Sequence, residues 1–132
     1  MKLSVVVPVF NERITIKEVC DRIKGVDINK EIILLDDCST EGTREIIKEL
    51  ACDNTTAYFR EKNLGKGAAL RTGFQKATGN ILIIQDADLE YDPNEYPKLI
   101  APYLKARLMW FAVRVLQGVR PKGLIFLAYG EQ

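Results

Sequence analysis

Four short β-type runs, each followed by a segment with helical periodicity, constrain this chain more than any other feature. The runs are Leu3 to Val7, Glu31 to Leu35, Thr56 to Phe59 and Ile81 to Gln85. Strands that alternate with helices predict an α/β domain with a parallel sheet, because a parallel strand pair needs a crossover long enough to hold a helix. At 132 residues the chain has room for one such domain.

The helical segments carry their own signals. Ile16, Val19, Cys20 and Ile23 fall at i, i+3, i+4 and i+7, and Thr15 and Glu18 have the spacing of a capping box. A second helix is predicted from Thr43 to Ala51, with Ser39, Thr40 and Thr43 as cap candidates and Ile46, Ile47 and Leu50 turned inward. A third spans Gly67 to Ala77, with Leu70, Phe74 and Ala77 on one face. A fourth follows Pro93 and lays Tyr96, Leu99, Ile100, Tyr103 and Leu104 along a sheet-facing stripe.

Right-handed crossovers bring the loops after the four strands to one edge of the sheet. Those loops are Pro8 to Glu12, Asp36 to Thr40, Asn63 to Gly67 and Asp86 to Glu90. Open α/β sheets bind ligands at that edge. The chain contains no histidine, which removes the commonest general base, the usual zinc ligand and any Ser-His or Cys-His nucleophile. Chemistry at this edge would rest on carboxylates, metal, backbone amides, lysine and arginine.

Asp86-Ala87-Asp88 ends the apolar run Ile81-Leu82-Ile83-Ile84, and buried carboxylates are costly unless a cation meets them. Mg²⁺ and Mn²⁺ prefer oxygen ligands, and Mg²⁺ takes one or two protein carboxylates with phosphates and water completing its shell. Glu90 offers a third carboxylate. The alternative is a set of surface acids before a helix, a description that suits Asp92 and Glu95 better than Asp86. Asp36 and Asp37 follow the second strand and suit either a ribose or base contact or a helix cap.

Asn63-Leu64-Gly65-Lys66-Gly67 opens a helix and suits an anion near backbone N–H groups, or else a tight turn. It is neither a dinucleotide fingerprint nor a P-loop, since Leu70 stands where the third glycine would be and no Ser or Thr follows Lys66 at the required spacing. Phe10 reads equally as a core residue and as a stacking ring. Lys62 and Arg71 read equally as phosphate contacts and as solvated charges.

Nineteen basic and 18 acidic residues leave a net charge of +1, with no electrostatic case for a nucleic-acid partner. Cys20, Cys38 and Cys52 are odd in number and read as reduced thiols of a cytoplasmic protein. The opening MKLSVVVPVFNE reads as a strand rather than a signal peptide. Arg114, Arg120 and Lys122 interrupt the apolar stretch from Leu108 to Tyr129, so membrane contact is expected to be at most peripheral, at the cytoplasmic face.

Taken in order, PVFNE, LDDCSTEGT, NLGKGAALRTG and QDADLEY resemble the family 2 glycosyltransferases of the GT-A fold, in the branch similar to dolichyl-phosphate mannose synthases. The resemblance covers residues 1 to about 104. It implies a Rossmann-like nucleotide-binding half with a mainly parallel sheet in the order 3-2-1-4 and helices on both faces. The implied activity is inverting transfer of a hexose from a nucleotide sugar, of GDP-mannose or UDP-glucose type, to a polyprenyl phosphate.

By the same resemblance Pro8, Phe10, Asn11, Glu12 and Asp37 would contact the nucleoside, with Asp36 beside them and Lys66 near the phosphates. Asp86 and Asp88 would be the catalytic DxD-type pair that holds Mg²⁺ or Mn²⁺, with Glu90 where related enzymes use a glutamine. Two rival readings are a nucleotidyltransferase, although such enzymes begin with a glycine-rich basic loop absent after Val7, and a nucleotide-sugar-binding module without catalysis.

Residues 105–132, KARLMWFAVRVLQGVRPKGLIFLAYGEQ, depart from the family pattern of an Ala-Asp-Val-Val strand and a Gly-Ser-Arg-Phe loop. Read two bases out of frame, the codons of Met109-Trp110-Phe111 force two valines. The flanking codons permit Ala-Asp before them and Gly-Ser-Arg-Phe one codon further on. The expectation is therefore a donor-binding region over 1–104 and a frameshifted or truncated tail over 105–132, with activity impaired in this short form.

Overall fold

The structure is a computed structural model that describes residues 2–106 and 124–128. Its elements run β1 (Leu3–Val9), α1 (Ile16–Lys24), β2 (Lys30–Asp36), α2 (Thr43–Leu50), β3 (Thr55–Phe59), α3 (Lys66–Lys76), β4 (Ile81–Gln85), a 3-10 turn (Pro93–Glu95), α4 (Tyr96–Ala106) and β5 (Leu124–Ala128). The sheet order is β3-β2-β1-β4-β5. β1 to β4 pair in parallel, in the expected order 3-2-1-4. β5 pairs antiparallel with β4 and extends the sheet by a strand that the sequence pattern did not suggest.

Strand periodicity divides the core in two. Val5, Val7 and Val9 of β1, with Ile32 and Leu34 of β2 and Ile81 and Ile83 of β4, face α1, α2 and α4. The alternate residues Val6, Ile33, Leu35, Leu82 and Ile84 face α3. Both faces of the sheet are covered, which is why its strands are apolar throughout.

α1 buries the predicted stripe Ile16, Val19, Cys20 and Ile23. The capping box does not form: Thr15 is the N-cap residue, but its side chain makes no cap bond. Its hydroxyl donates instead to the carbonyl of Ala87 at 2.6 Å and to Glu12 Oε2 at 3.2 Å, tying the β1 loop to the β4 loop. Glu18 accepts from Arg22 on the exposed face.

α2 starts after Gly42, which has φ +103° and leaves no role for Ser39 or Thr40 as caps. Ile47 is fully buried, and Ile46 and Leu50 pack against the core. α3 differs more. It buries Ala69 and Gly73, while Phe74 is exposed. A Cβ on Gly73 would run into Val6 Cγ1 and come within 2.8 Å of Leu35 Cδ1, so the helix seats its smallest residue on the sheet.

The fourth helical segment begins with the 3-10 turn, whose Asp92 side chain accepts from Asn94 N. Tyr96 and Ile100 are buried, and Leu99 is partly exposed. The side chains of Tyr103 and Leu104 lie outside the described residues. Tyr96 donates its hydroxyl to Gln85 Oε1 at 2.6 Å, which satisfies a buried amide oxygen at the end of β4.

Candidate donor-binding site

Because β1 to β4 are parallel, their C-terminal ends share one edge, and a cavity of about 440 Å³ opens there. Its wall takes Pro8, Val9, Phe10 and Glu12 from the end of β1, Asp37 from β2, Asn63, Gly65, Lys66 and Ala69 from the β3–α3 loop and α3, and Asp86, Ala87 and Asp88 from β4. All four loops predicted to converge therefore contribute. Of the residues expected in a nucleotide site, Pro8, Phe10, Glu12, Asp37, Lys66, Asp86 and Asp88 meet here.

Phe10 is 47% exposed, so its ring belongs to the wall rather than to the core. Asp37 is buried and holds the glycine loop: Leu64 N donates to its Oδ1 at 3.1 Å and Gly65 N to its Oδ2 at 2.9 Å. Gly65, at φ +88°, then hands the chain to α3, whose first N–H groups have no intrahelical partner. This end of α3 faces the same cavity as Lys66, an arrangement suited to anions.

Arg60 stands behind Asp37. Its Nη1 lies 4.0 Å from Asp37 Oδ1, and its Nη2 bonds the carbonyl of Ala68 and the hydroxyl of Thr72 in α3. The sequence reading missed Arg60 because it took the loop to begin at Asn63. A lone arginine directly after the apolar end of a strand was the available signal.

Asn11, Asp36 and Glu90 are not in the cavity wall. Asn11 adopts φ +51°, a conformation asparagine tolerates. Its Oδ1 accepts from Thr40 N and its own N–H donates to Ser39 Oγ, both at 2.9 Å, so it joins two loops. Asp36 has no exposed surface and turns to Arg44 of α2. Glu90 is exposed beyond Asp88 and donates its N–H to Asp88 Oδ1 at 3.4 Å. Lys62 and Arg71 are exposed and outside the wall.

Glu12, Asp86 and Asp88 bring three carboxylates to one side of the cavity. Burial pushes the Glu12 carboxyl above its ordinary value, against the Thr15 hydrogen bond, and the charges of Asp88 and then Asp86 push it further. A divalent cation would relieve that crowding, and a donor set of carboxylate oxygens without histidine suits Mg²⁺ or Mn²⁺. Among the described residues no group of three or more histidine, cysteine, aspartate or glutamate side chains is placed to hold a metal ion by itself.

The sequence matches the model of glycosyl transferase family 2 over residues 4–121. The chain belongs to this family. The match runs past Leu104, where the motif resemblance stops. Among curated relatives of this glycosyltransferase, a dolichol-phosphate mannosyltransferase of Pyrococcus furiosus is 37% identical over 103 residues, 76% of this chain and 29% of its own length. An undecaprenyl-phosphate 4-deoxy-4-formamido-L-arabinose transferase of Aeromonas hydrophila is 34% identical over 105 residues, 74% of this chain and 32% of its own. The chain thus spans about a third of the length of the curated relatives it matches.

Among solved structures, the mannosyltransferase PcManGT of Pyrobaculum calidifontis, in complex with GDP-Man and Mn²⁺, superposes with a TM-score of 0.64 at 31% identity, covering 70% of this chain and 29% of that one. The glucosyl-3-phosphoglycerate synthase of Mycobacterium tuberculosis, in complex with UDP, superposes at 0.66 and 31%, covering 82% and 42%. The described residues have the GT-A fold. No helix among its described residues is long and apolar enough to cross a membrane.

Proposed function

We propose that the cavity binds the nucleoside diphosphate of a sugar donor, for inverting transfer of a hexose to a polyprenyl phosphate. The observation that carries this reading is the convergence of a half-exposed aromatic ring, a helix N-terminus with a lysine, and three carboxylates in one cavity at the carboxyl edge of the sheet. The relatives named above act on polyprenyl phosphates by name, and the solved neighbours bind GDP-Man or UDP, which supports both halves of the assignment.

In this reading Phe10 and Pro8 flank the nucleoside, and Asp37 fixes the loop that carries Gly65 and Lys66. Lys66 and the first N–H groups of α3 meet the diphosphate. Asp86 and Asp88 would hold a Mg²⁺ or Mn²⁺ ion, which would supply charge neutralisation for the nucleoside diphosphate leaving group. Mn²⁺ accompanies the nucleotide sugar in PcManGT and in the Mycobacterium synthase.

The absence of histidine is no obstacle. A phosphate monoester with a second pKa of about 6 is already largely ionised near neutrality, so its oxygen attacks the anomeric carbon without a general base. The bond from that carbon to the diphosphate breaks as the new bond forms on the opposite face, which inverts the centre. The Gly-Ser-Arg-Phe loop, which by the family resemblance contacts acceptor or donor phosphate, is not spelled in residues 105–132, so this chain is expected to bind nucleotide weakly and not to transfer the sugar.

Titration calorimetry with GDP and UDP, with and without Mn²⁺, tests the donor site, and incubation with a short polyprenyl phosphate tests transfer. Metal-dependent nucleotide binding supports the reading, whereas no binding of either nucleotide would overturn it. Measurable turnover would overturn the expectation of impaired activity.

A further inference from the structure

The ammonium of Lys66 lies 2.5 Å from Oδ1 of Asp86. Lys66 opens α3 and Asp86 immediately follows β4, so the pair links two elements at the cavity wall. The cavity wall carries four carboxylates, from Glu12, Asp37, Asp86 and Asp88, and Lys66 is its one cationic side chain among the described residues. The Asp86 side chain is 22% exposed and that of Lys66 56%.

A cation this close to Oδ1 excludes a second one. Mg²⁺ binds carboxylate oxygens at about 2.0–2.1 Å, so a metal on the same oxygen would sit against the ammonium with like charge. Lysine is a point charge on a flexible four-carbon stem, and a half-exposed one can leave without uncovering core. A diphosphate in the cavity offers it more negative charge than one carboxylate does.

We propose that Lys66 is the resident counter-cation of Asp86, and that nucleoside diphosphate draws it away and so opens Asp86 to the divalent metal. Resting on the donor-site reading above, the inference gives that site an order: metal binds poorly alone, and nucleotide and metal favour each other through one side chain. Coupling of this kind is reciprocal, so the metal raises nucleotide affinity by the same factor.

Mn²⁺ binding to the 132-residue chain, followed by electron paramagnetic resonance of the free ion, tests this with and without GDP or UDP. Lys66→Gln is expected to bind Mn²⁺ alone about tenfold more tightly than the parent chain, and the gain on adding nucleotide is expected to shrink by a similar factor. Lys66→Arg, which keeps the charge, should not tighten Mn²⁺ binding in the absence of nucleotide, and Asp86→Asn added to Lys66→Gln should erase the tightening.

Equal Mn²⁺ affinity of Lys66→Gln and parent without nucleotide, while nucleotide-dependent binding persists, overturns this inference alone. Tightening that survives Asp86→Asn also overturns it. Failure of Mn²⁺ to bind either chain even with GDP and UDP present overturns the donor-site reading, and the inference with it.

Discussion

Nε of Arg44 lies 2.9 Å from Oδ2 of Asp36, a carboxylate with no exposed surface. Ser39 N donates to the same oxygen at 3.3 Å, while Oδ1 has no hydrogen-bond partner among the described residues. Removing the arginine would strand a buried charge, a change that costs about 3–5 kcal/mol in well-enclosed pairs. Arg44 is 31% exposed, so Arg44→Met is expected near about 3 kcal/mol, the lower end of that range. Adding Asp36→Asn should recover part of the loss, because the stranded charge is then gone. Urea denaturation of the single and double variants measures both.

The same pair shows where sequence reasoning stops. The apolar β-type runs placed β1, β2 and β4, and the i, i+3, i+4, i+7 stripe of α1 was legible without a structure. The strand-end rule pointed to the edge where the cavity opens. Neighbouring residues on a strand point to opposite faces, however, so one of Asp36 and Asp37 had to turn from the cavity, and only tertiary partners decide which. On α3 the predicted Leu70 and Ala77 do pack on the sheet, but Phe74 does not: periodicity favours the bulky ring, whereas close approach to Val6 and Leu35 selects Gly73. Thr15 was paired with Glu18 in the sequence, but its hydroxyl bonds Glu12 and Ala87, the latter 72 residues away.

Two glycines of α3 should respond to alanine with opposite sign. At Gly73 the added methyl meets Val6 and Leu35, and overpacking of this kind costs about 1–3 kcal/mol. At Gly67 a Cβ meets nothing within 4 Å, so Gly67→Ala should be neutral or stabilise by about 0.5–1 kcal/mol through helix propensity. Thermal unfolding of the two variants beside the parent separates them; a destabilised Gly67→Ala would contradict the open surroundings of that position.

The free cysteines should label in a fixed order. Cys52 is exposed, and hydrogen bonds from the Thr55 side chain and then the Asn54 backbone hold its thiol below the ordinary 9.0. Burial pushes Cys20 up to about 11. Because the thiolate is the reactive form, iodoacetamide near neutrality should modify Cys52 in the native protein and Cys20 only after unfolding. Peptide mapping of a labelling time course reads this directly, and early modification of Cys20 would show that α1 is not packed as described.

Acid should weaken the end of the sheet remote from the cavity. Burial alone would raise the Glu31 carboxyl, but the Ser4 and Thr78 hydrogen bonds and the Lys2 ion pair outweigh it and hold the group below its ordinary 4.5. A carboxyl depressed in the folded state contributes stability that is fully present above its unfolded pKa and is lost as pH falls through the folded value. Stability should therefore decline below about pH 4.5 partly through Glu31. Glu31→Gln should be less stable at neutral pH and show a shallower decline below that point, as followed by urea midpoints across the range.

Phe10 offers the sharpest separation of the nucleoside end of the cavity from its phosphate end. Its ring is 47% exposed and lines the cavity, so truncation removes little buried surface and should leave stability within about 0.5 kcal/mol of the parent. If the ring stacks on a base, Phe10→Ala forfeits about 1–3 kcal/mol of binding, or roughly 5-fold to 160-fold in affinity for GDP or UDP. Inorganic pyrophosphate has no base to stack, and its competition for the Lys66 end should be unchanged. Asp88→Asn should do the reverse, weakening the Mn²⁺-dependent part of both while sparing the nucleoside contact. Competition calorimetry with the two ligands on the two variants tests the assignment: equal losses for nucleotide and pyrophosphate in Phe10→Ala would mean that the ring shapes the loop rather than meeting a base.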